Sequence, residues 1–369
     1  MTVESAETTT KRRYRAALVG CSRMGAFIDN EIRSSRTIGA PYSHAAGYEA
    51  CDRTDLIAGA DLRPEVLAAF GQRYGVAPEH QYTDYRQMIE RERPDILSVA
   101  TQPEQRAEIA LFAIEHGVRA LYLEKPLCAS VAEAHRLVEA VERRGVAVNM
   151  GTNRRWHPGF DVMRDLIASG DLGALRTLII YTSGALFNTS SHWFDLAMWL
   201  NGDAPVVWAQ GHLPRGDEQI DGEEVIADPA AEGLFAFANG VTAHALLSPR
   251  NNDIEAICEG GYVIARNGGS RFERYRLSAQ DGERVHVPEP FPEFRRASST
   301  LRLIEDLVHA LETGEPTRGG IRVAAANTEL IFAFIESHRR GGQRVPLPLG
   351  ESALRFGRRD LAWRQPKLA

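Results

Sequence analysis

The chain has 369 residues, enough for two domains at roughly 150 residues each, and its 44% hydrophobic and 25% charged residues exclude wholesale disorder. Its 43 Lys and Arg against 49 Asp and Glu leave a net charge of −6, which argues against a generic nucleic-acid binder. The four cysteines, Cys21, Cys51, Cys128 and Cys258, form no C-x-x-C pair, so free thiols in a reducing cytoplasm fit better than a disulfide framework. No stretch reads as a membrane span, since the longest uncharged run near the middle, 177–194, is broken by Thr, Ser, Asn and His. Residues 1–13 read as a polar, poorly ordered tail without an apolar signal core.

The first element is a short apolar run, Tyr14–Gly20, ending in glycine as a buried strand does. Thr54–Asp61, Asp95–Gln102, Arg119–Pro126 and Val146–Gly151 repeat the pattern. Helical patterns lie between them at Pro64–Tyr74, Pro103–His116 and Ser130–Arg144. In the last of these, Ser130 and Glu133 stand at capping-box spacing, and Gly145 is the stop. Strands alternating with helices imply βαβ units, and continuous rather than alternating apolar runs imply strands covered on both faces. Residues 14–150 are therefore expected to form a doubly wound parallel sheet. The segment Asp29–Cys51 reads as an insertion around its first helix.

Past residue 151 the pattern changes. After a helix over Phe160–Ser169 come strand-like runs at Leu175–Ser183, Val206–Gly211, Leu234–Ala238, Thr242–Ser248, Ile254–Glu259 and Tyr262–Ala265. Asn239-Gly240 and Gly260-Gly261 sit where hairpin turns belong. A helix carrying His192, Leu196 and Leu200 interrupts the strands, and helices over Ser299–Glu312 and Arg322–Arg339 close the chain. Residues 151–369 are expected to be a second α/β domain built on a large, open, mainly antiparallel sheet.

Three places carry chemistry. Gly20-Cys21-Ser22-Arg23-Met24-Gly25 follows the first strand as a G-x-G-x-x-G dinucleotide fingerprint does, with Ser22 at the second glycine. In that reading Gly20 makes the turn, Gly25 admits close packing, and the pyrophosphate sits on the following helix N-terminus. A plain strand-to-helix glycine turn has the same letters. Asp61 ends the second strand, where a carboxylate takes the ribose hydroxyls of NAD and repels the 2′-phosphate of NADP. It lies 41 residues after Gly20 rather than the usual ~20. Asp61 capping the turn before Pro64 is the alternative, and nearby Arg63 keeps NADP open. Glu124-Lys125-Pro126 ends another strand, the edge at which ligands bind in open α/β sheets.

Together, the degraded fingerprint, the acidic second-strand end, Thr101-x-Pro103 and Glu124-Lys125-Pro126 resemble the Gfo/Idh/MocA oxidoreductase family. The resemblance continues through Asn153–Pro158 (NRRWHP), Ile167–Gly173 and Ser191–Leu200 (SHWFDLAMWL), and covers the chain from Arg15 to about Pro348. It implies a Rossmann domain followed by an α/β domain with a large open sheet. It implies hydride transfer between NAD, or NADP, and a hydroxyl or keto group of a sugar, cyclitol or related polyol. Lys125 is then the lysine at the substrate hydroxyl and nicotinamide, and His192 the proton-transfer histidine. Histidine suits that task through its unperturbed pKa near 6.5, and lysine suits a developing alkoxide. A homodimer or homotetramer is also implied.

Two positions depart from the family pattern. Asn188 stands where many members have Asp, four residues before the histidine, and Arg106 stands where a histidine often follows T-x-P. Asparagine carries no proton, so the usual relay is in doubt, although Asn188 is still able to orient substrate. Either change is compatible with a different substrate, an acidic substituent or altered chemistry. Asp195 either faces the same site or packs. Of Arg154 and Arg155, one is a candidate for substrate contact, the alternative being a solvated pair. No metal site is expected. Two other readings stand beside the dehydrogenase: a redox-neutral NAD-dependent enzyme that cleaves or isomerises glycosides, and a non-enzymatic sugar or dinucleotide sensor.

Overall fold

The computed structural model describes residues 12–359 apart from 36, 183, 251 and 281, together with Lys367. The expected polar tail lies outside the described residues except for Arg12 and Arg13, which pair with Asp95 and Asp55. In chain order the first half contains β1 (Tyr14–Val19), a five-residue π turn (Arg23–Phe27) with a 3-10 turn (Ile28–Asn30), α1 (His44–Ala50), β2 (Thr54–Ala60) and α2 (Pro64–Tyr74). There follow β3 (Gln81–Tyr82), α3 (Tyr85–Glu92), β4 (Ile96–Val99), α4 (Pro103–Glu115), β5 (Ala120–Leu123), α5 (Val131–Arg144) and β6 (Ala147–Met150). The six strands form one parallel sheet in the order β3-β2-β1-β4-β5-β6. The chain winds one way from β1 and the other way from β4, which opens a crevice beyond the carboxyl ends of β1 and β4. Every residue of β4 and β5 is buried, the mark of strands covered on both faces.

The second half contains α6 (Pro158–Ala168), β7 (Leu175–Thr182), α7 (Ser191–Leu200), β8 (Val206–His212), the single turn α8 (Gly216–Gln219), β9 (Ile220–Asp221) and β10 (Glu224–Val225). Then come β11 (Glu232–Phe237), β12 (Thr242–Leu247), β13 (Asp253–Cys258), β14 (Gly261–Arg266), β15 (Arg271–Gln280), β16 (Glu283–Glu289), α9 (Ser299–Thr313), α10 (Ile321–Arg339), β17 (Val345–Pro346) and β18 (Arg355–Phe356). Nine strands form a sheet in the order β16-β15-β14-β13-β7-β12-β11-β8-β17, and β18-β10-β9 form a small second one. The large sheet is antiparallel except where β7 and β12 run parallel. Asn239-Gly240 closes the β11–β12 hairpin and Gly260-Gly261 joins β13 to β14. One face packs on α7 and α10 through Phe194, Phe235 and Phe334, and the other face stays open.

The closing helix α9 does not stay with the second sheet. It returns to the first, where Leu303, Ile304, Leu307 and Val308 pack with Tyr14, Ile96 and Tyr122. Each such aliphatic side chain contributes roughly 1.5–3 kcal/mol on full burial, so the two halves are held as one body. Capping follows the sequence closely: Ser130 accepts from Glu133 N at 3.2 Å, while Glu133 Oε2 reaches Ala129 N at 2.9 Å. The segment read as an insertion contains α1, capped by Ser43. The elements α3, β3, β15 and β16 are additional to those expected.

Candidate active site

The turn after β1 is built as a close approach of backbones. Gly20 has φ +90° and a Cβ there would lie 2.9 Å from Ala100 C and O. A Cβ on Gly25 would lie 1.9 Å from the Gly20 carbonyl oxygen. Both positions therefore need glycine, and the cradle they leave, with Ser22, Arg23 and Met24 half-buried along it, fits a group that approaches main chain. The expected long phosphate-binding helix is absent. Five residues of π turn and three of 3-10 helix follow Ser22, so little macrodipole is available and backbone N–H groups must carry the contact. Arg23 is paired with Glu31 at 2.8 Å.

Asp61 lies just past β2. Its Oδ1 accepts from Arg63 N and Arg63 Nε at 3.1 Å, which fixes the turn into α2, and its carboxylate remains at the strand end. Thr101 lies just past β4, and Pro103 opens α4. Arg106 is buried and spends its two terminal nitrogens on the carbonyls of Thr101 and Pro126. Burial pushes its pKa down to about 10. It ties the backbone at Thr101, just past β4, to that at Pro126, beside Lys125, while its Nε is buried without a partner.

Lys125 follows β5 and reaches across to the second half of the chain. Its Nζ donates to Asn188 Oδ1 at 2.6 Å and to the Asn188 carbonyl at 3.0 Å. Burial holds its pKa below the usual lysine value, with Arg106 and Arg154 acting in the same direction against Glu124 and Asp228. Asn188 belongs to a five-residue π turn, Leu186–Ser190, that runs into α7, and His192 stands at the start of that helix. His192 Nδ1 is buried without a hydrogen-bond partner. Burial, then the charges of Lys125 and Arg154, hold its pKa well below 6.5, so it is neutral at neutral pH. A neutral imidazole with an unmatched nitrogen fits a group that has yet to arrive and is ready to accept a proton.

Beneath Lys125 is a buried chain of polar groups. Glu124 Oε2 accepts from Lys125 N at 3.2 Å, and Glu124 Oε1 meets His44 Nε2 at 3.2 Å. His44 Nδ1 lies 3.0 Å from Ser98 Oγ, which lies 2.8 Å from Tyr48 OH. Burial pushes Glu124 up, yet His44, Lys125 and Arg106 together hold it below its ordinary value.

Arg154 and Arg155 part company in the 3-10 turn Asn153–Trp156. Arg155 is fully buried, with Nε 3.1 Å from both Asp195 oxygens and its terminal nitrogens 2.8 and 2.9 Å from Asp203. Asp195 is thus spent on Arg155 and packs. Arg154 instead lies over Trp193, its Cζ 4.3 Å from the ring centroid.

Tyr42, His44 and Asp228 were not expected from sequence. Asp228 accepts from the N–H groups of Phe187 and Asn188 at 2.8 and 3.0 Å and so holds the turn that carries Asn188. Burial keeps its carboxyl above the usual aspartate range. The Ser43 cap before an apolar helical pattern was the signal for α1. Asp228 sits in an irregular loop and has no local signal.

Residues 15–152 match the model of the Gfo/Idh/MocA oxidoreductases, described by its NAD-binding Rossmann fold. The match covers the part of the chain that forms the parallel sheet. The chain is 28% identical over 258 residues to a D-apiose dehydrogenase of Paraburkholderia graminis, covering 65% of this chain and 62% of the relative. The chain thus spans about three fifths of that relative's length. It is 25% identical over 290 residues to a myo-inositol 2-dehydrogenase of Thermotoga maritima, covering 74% of this chain and 85% of that one. The fold is shared with an aldose-aldose oxidoreductase from Caulobacter crescentus solved with glycerol (TM-score 0.71, 20% identity, 91% of this chain and 100% of the other). No described helix is long and apolar enough to cross a membrane, and no group of His, Cys, Asp and Glu among the described residues is arranged to hold a metal.

Proposed function

We propose that this protein is an NAD-dependent dehydrogenase that oxidises a hydroxyl of a sugar, cyclitol or related polyol. The observation that carries the reading is the meeting of Lys125, Asn188 and a neutral, unmatched His192 where the parallel sheet faces α7. Residues 14–150 bind the dinucleotide and residues 151–369 supply the substrate side, with α9 returning to brace the first sheet. Gly20, Ser22, Arg23, Met24 and Gly25 hold the pyrophosphate, Asp61 the adenine ribose, and Thr101, Pro103 and Glu124 the nicotinamide side, with Lys125. NAD, when bound, supplies the hydride acceptor. His192 takes the hydroxyl proton, and the Lys125 ammonium stabilises the alkoxide that develops as the proton leaves. Asn188 holds Lys125 in place. It cannot relay a proton as a carboxylate does, so His192 passes the proton on to water.

A cytoplasmic location is supported by four buried, unpaired thiols, which suit a reducing compartment. A homo-oligomer is supported by the open face of the large sheet, where Ile179, Tyr181, His244, Leu246 and Ile257 share neighbouring rows without a covering layer. Native mass spectrometry for bound nicotinamide, followed by a panel of sugars, cyclitols and aldonic acids read at the NADH absorbance, tests the function. NAD-dependent turnover of a polyol is expected. Tight polyol binding with no NAD reduction for any compound overturns it in favour of a sensor.

A further inference from the structure

Arg154 is a half-buried cation without an anion among the described residues. Its neighbour Arg155 has two carboxylates, yet Arg154 has no ion pair among the described residues, and its Nε is buried without a hydrogen-bond partner. The group that bears on it most is the Tyr42 phenol, itself neutral because burial raises its pKa. The Trp193 ring beneath the guanidinium fixes its position at 4.3 Å and leaves its nitrogens uncommitted. The carboxylates nearby are already spent. Asp195 is on Arg155, Glu124 is on His44, and Asp228 is on the Phe187 and Asn188 N–H groups. Asn188 adds no negative charge. Burial alone pushes the Arg154 guanidinium down to about 10, a measure of how little compensates it.

A desolvated charge without a partner is costly, and a fold that keeps one beside its reacting groups has a partner that arrives with the ligand. Arg154 lies close enough to His192 and Lys125 for its charge to depress both. We propose that Arg154 receives a carboxylate of the substrate, so that the polyol bound here is a sugar acid of the aldonate or uronate class. This rests on the dehydrogenase reading above for the position of the reacting hydroxyl, at Lys125 and His192. A single planar guanidinium matches a carboxylate through two parallel N–H···O bonds. A phosphate ester pairs with the same fork, so the test carries a phosphate arm.

The test separates binding from turnover. The NADH-loaded full-length protein is titrated calorimetrically with D-gluconate, D-galactonate and D-xylonate, and with the uncharged alditol of each carbon chain. D-glucitol 6-phosphate is the phosphate arm. For at least one pair the acid is expected to bind about tenfold tighter or more, the scale of a charge-assisted hydrogen bond. Arg154→Gln is expected to abolish that ratio and Arg154→Lys to restore part of it. Equal affinities in every pair, a ratio that survives Arg154→Gln, or tighter binding of the phosphate ester overturns the proposal. Should Arg154→Gln not fold, the wild-type ratio alone decides. An acid preference in binding with no NAD reduction by any acid keeps the subsite and overturns the dehydrogenase reading instead.

Discussion

His44 and Glu124 meet in the interior of the parallel domain, His44 Nε2 lying 3.2 Å from Glu124 Oε1, although they stand 80 positions apart in sequence. The imidazole stacks on Tyr122 at 3.7 Å and is tied through Ser98 to Tyr48. Glu124 in turn holds the backbone N–H of Lys125. Replacing His44 by Phe keeps the stack and leaves a carboxylate buried without its main partner. The expected cost is about 1–3 kcal/mol in unfolding free energy, the penalty for a stranded polar group. The Glu124 carboxyl should also rise in pKa and release its grip on Lys125, so kcat should fall more than KM changes. Urea unfolding together with steady-state kinetics checks both, and a variant with unchanged stability and kcat shows the contact to be idle.

Lys125→Ala and His192→Ala should each lower turnover by roughly 10²–10⁴, the scale of an acid–base or electrostatic group at the reacting atom. The pH dependence carries a sign. Because burial and two cations depress the His192 pKa, its neutral, proton-accepting form persists as pH falls past 6.5. The acid limb of kcat/KM for oxidation should therefore lie below the ordinary histidine value. The reverse reduction needs protonated His192 and should speed up as pH falls through the same range. A limb at or above 6.5 that disappears in His192→Ala contradicts the depressed value.

Much of this site was legible because its residues stand beside strand ends and helix starts. Lys125 ends a strand whose apolar run is plain, and His192 opens a helix with a regular apolar face. The groups behind them were not legible, because His44 and Asp228 reach the site by tertiary packing across 80 and about 40 residues. Asp195 stayed open between the site and packing because sequence does not show that Arg155 occupies it, and nothing local in the sequence shows Arg106 spanning the carbonyls of Thr101 and Pro126. The fold has the same division. Buried strands announce themselves, while β15 and β16 are polar because Arg274 and Arg276 pair with Glu289 across them, which removes the apolar alternation. The short turn after Ser22 was hidden for another reason: the glycine spacing describes the tight turn and says nothing of how long the helix runs.

The proposed ribose contact of Asp61 makes it the residue on which cofactor preference turns. Its carboxylate stands at the end of β2 and binds Arg63 at 3.1 Å. Asp61→Ser removes the charge that would repel a 2′-phosphate. The ratio of kcat/KM for NADP to that for NAD should rise about tenfold or more, equivalent to about 1.4 kcal/mol. The comparison needs both cofactors with one substrate. A ratio that does not move assigns Asp61 to the turn alone.

Arg155 is the firmest test of the frame. Its side chain is 0% exposed and that of Asp195 1%, while Asp203, its other partner, is 27% exposed. Removing one side of a fully buried pair strands the other, so Asp195→Ala should cost about 3–5 kcal/mol. Asp203→Ala, with water able to take its place, should cost distinctly less. Both are read as a lower urea midpoint at unchanged slope. The pair also joins the turn bearing Arg154 to the helix bearing His192, so Asp195→Asn, which keeps shape and loses charge, should lower kcat while the protein remains folded. Equal small losses for Asp195→Ala and Asp203→Ala would mean that the two carboxylates are interchangeable, and that the Arg155–Asp195 contact does not set the spacing between Arg154 and His192.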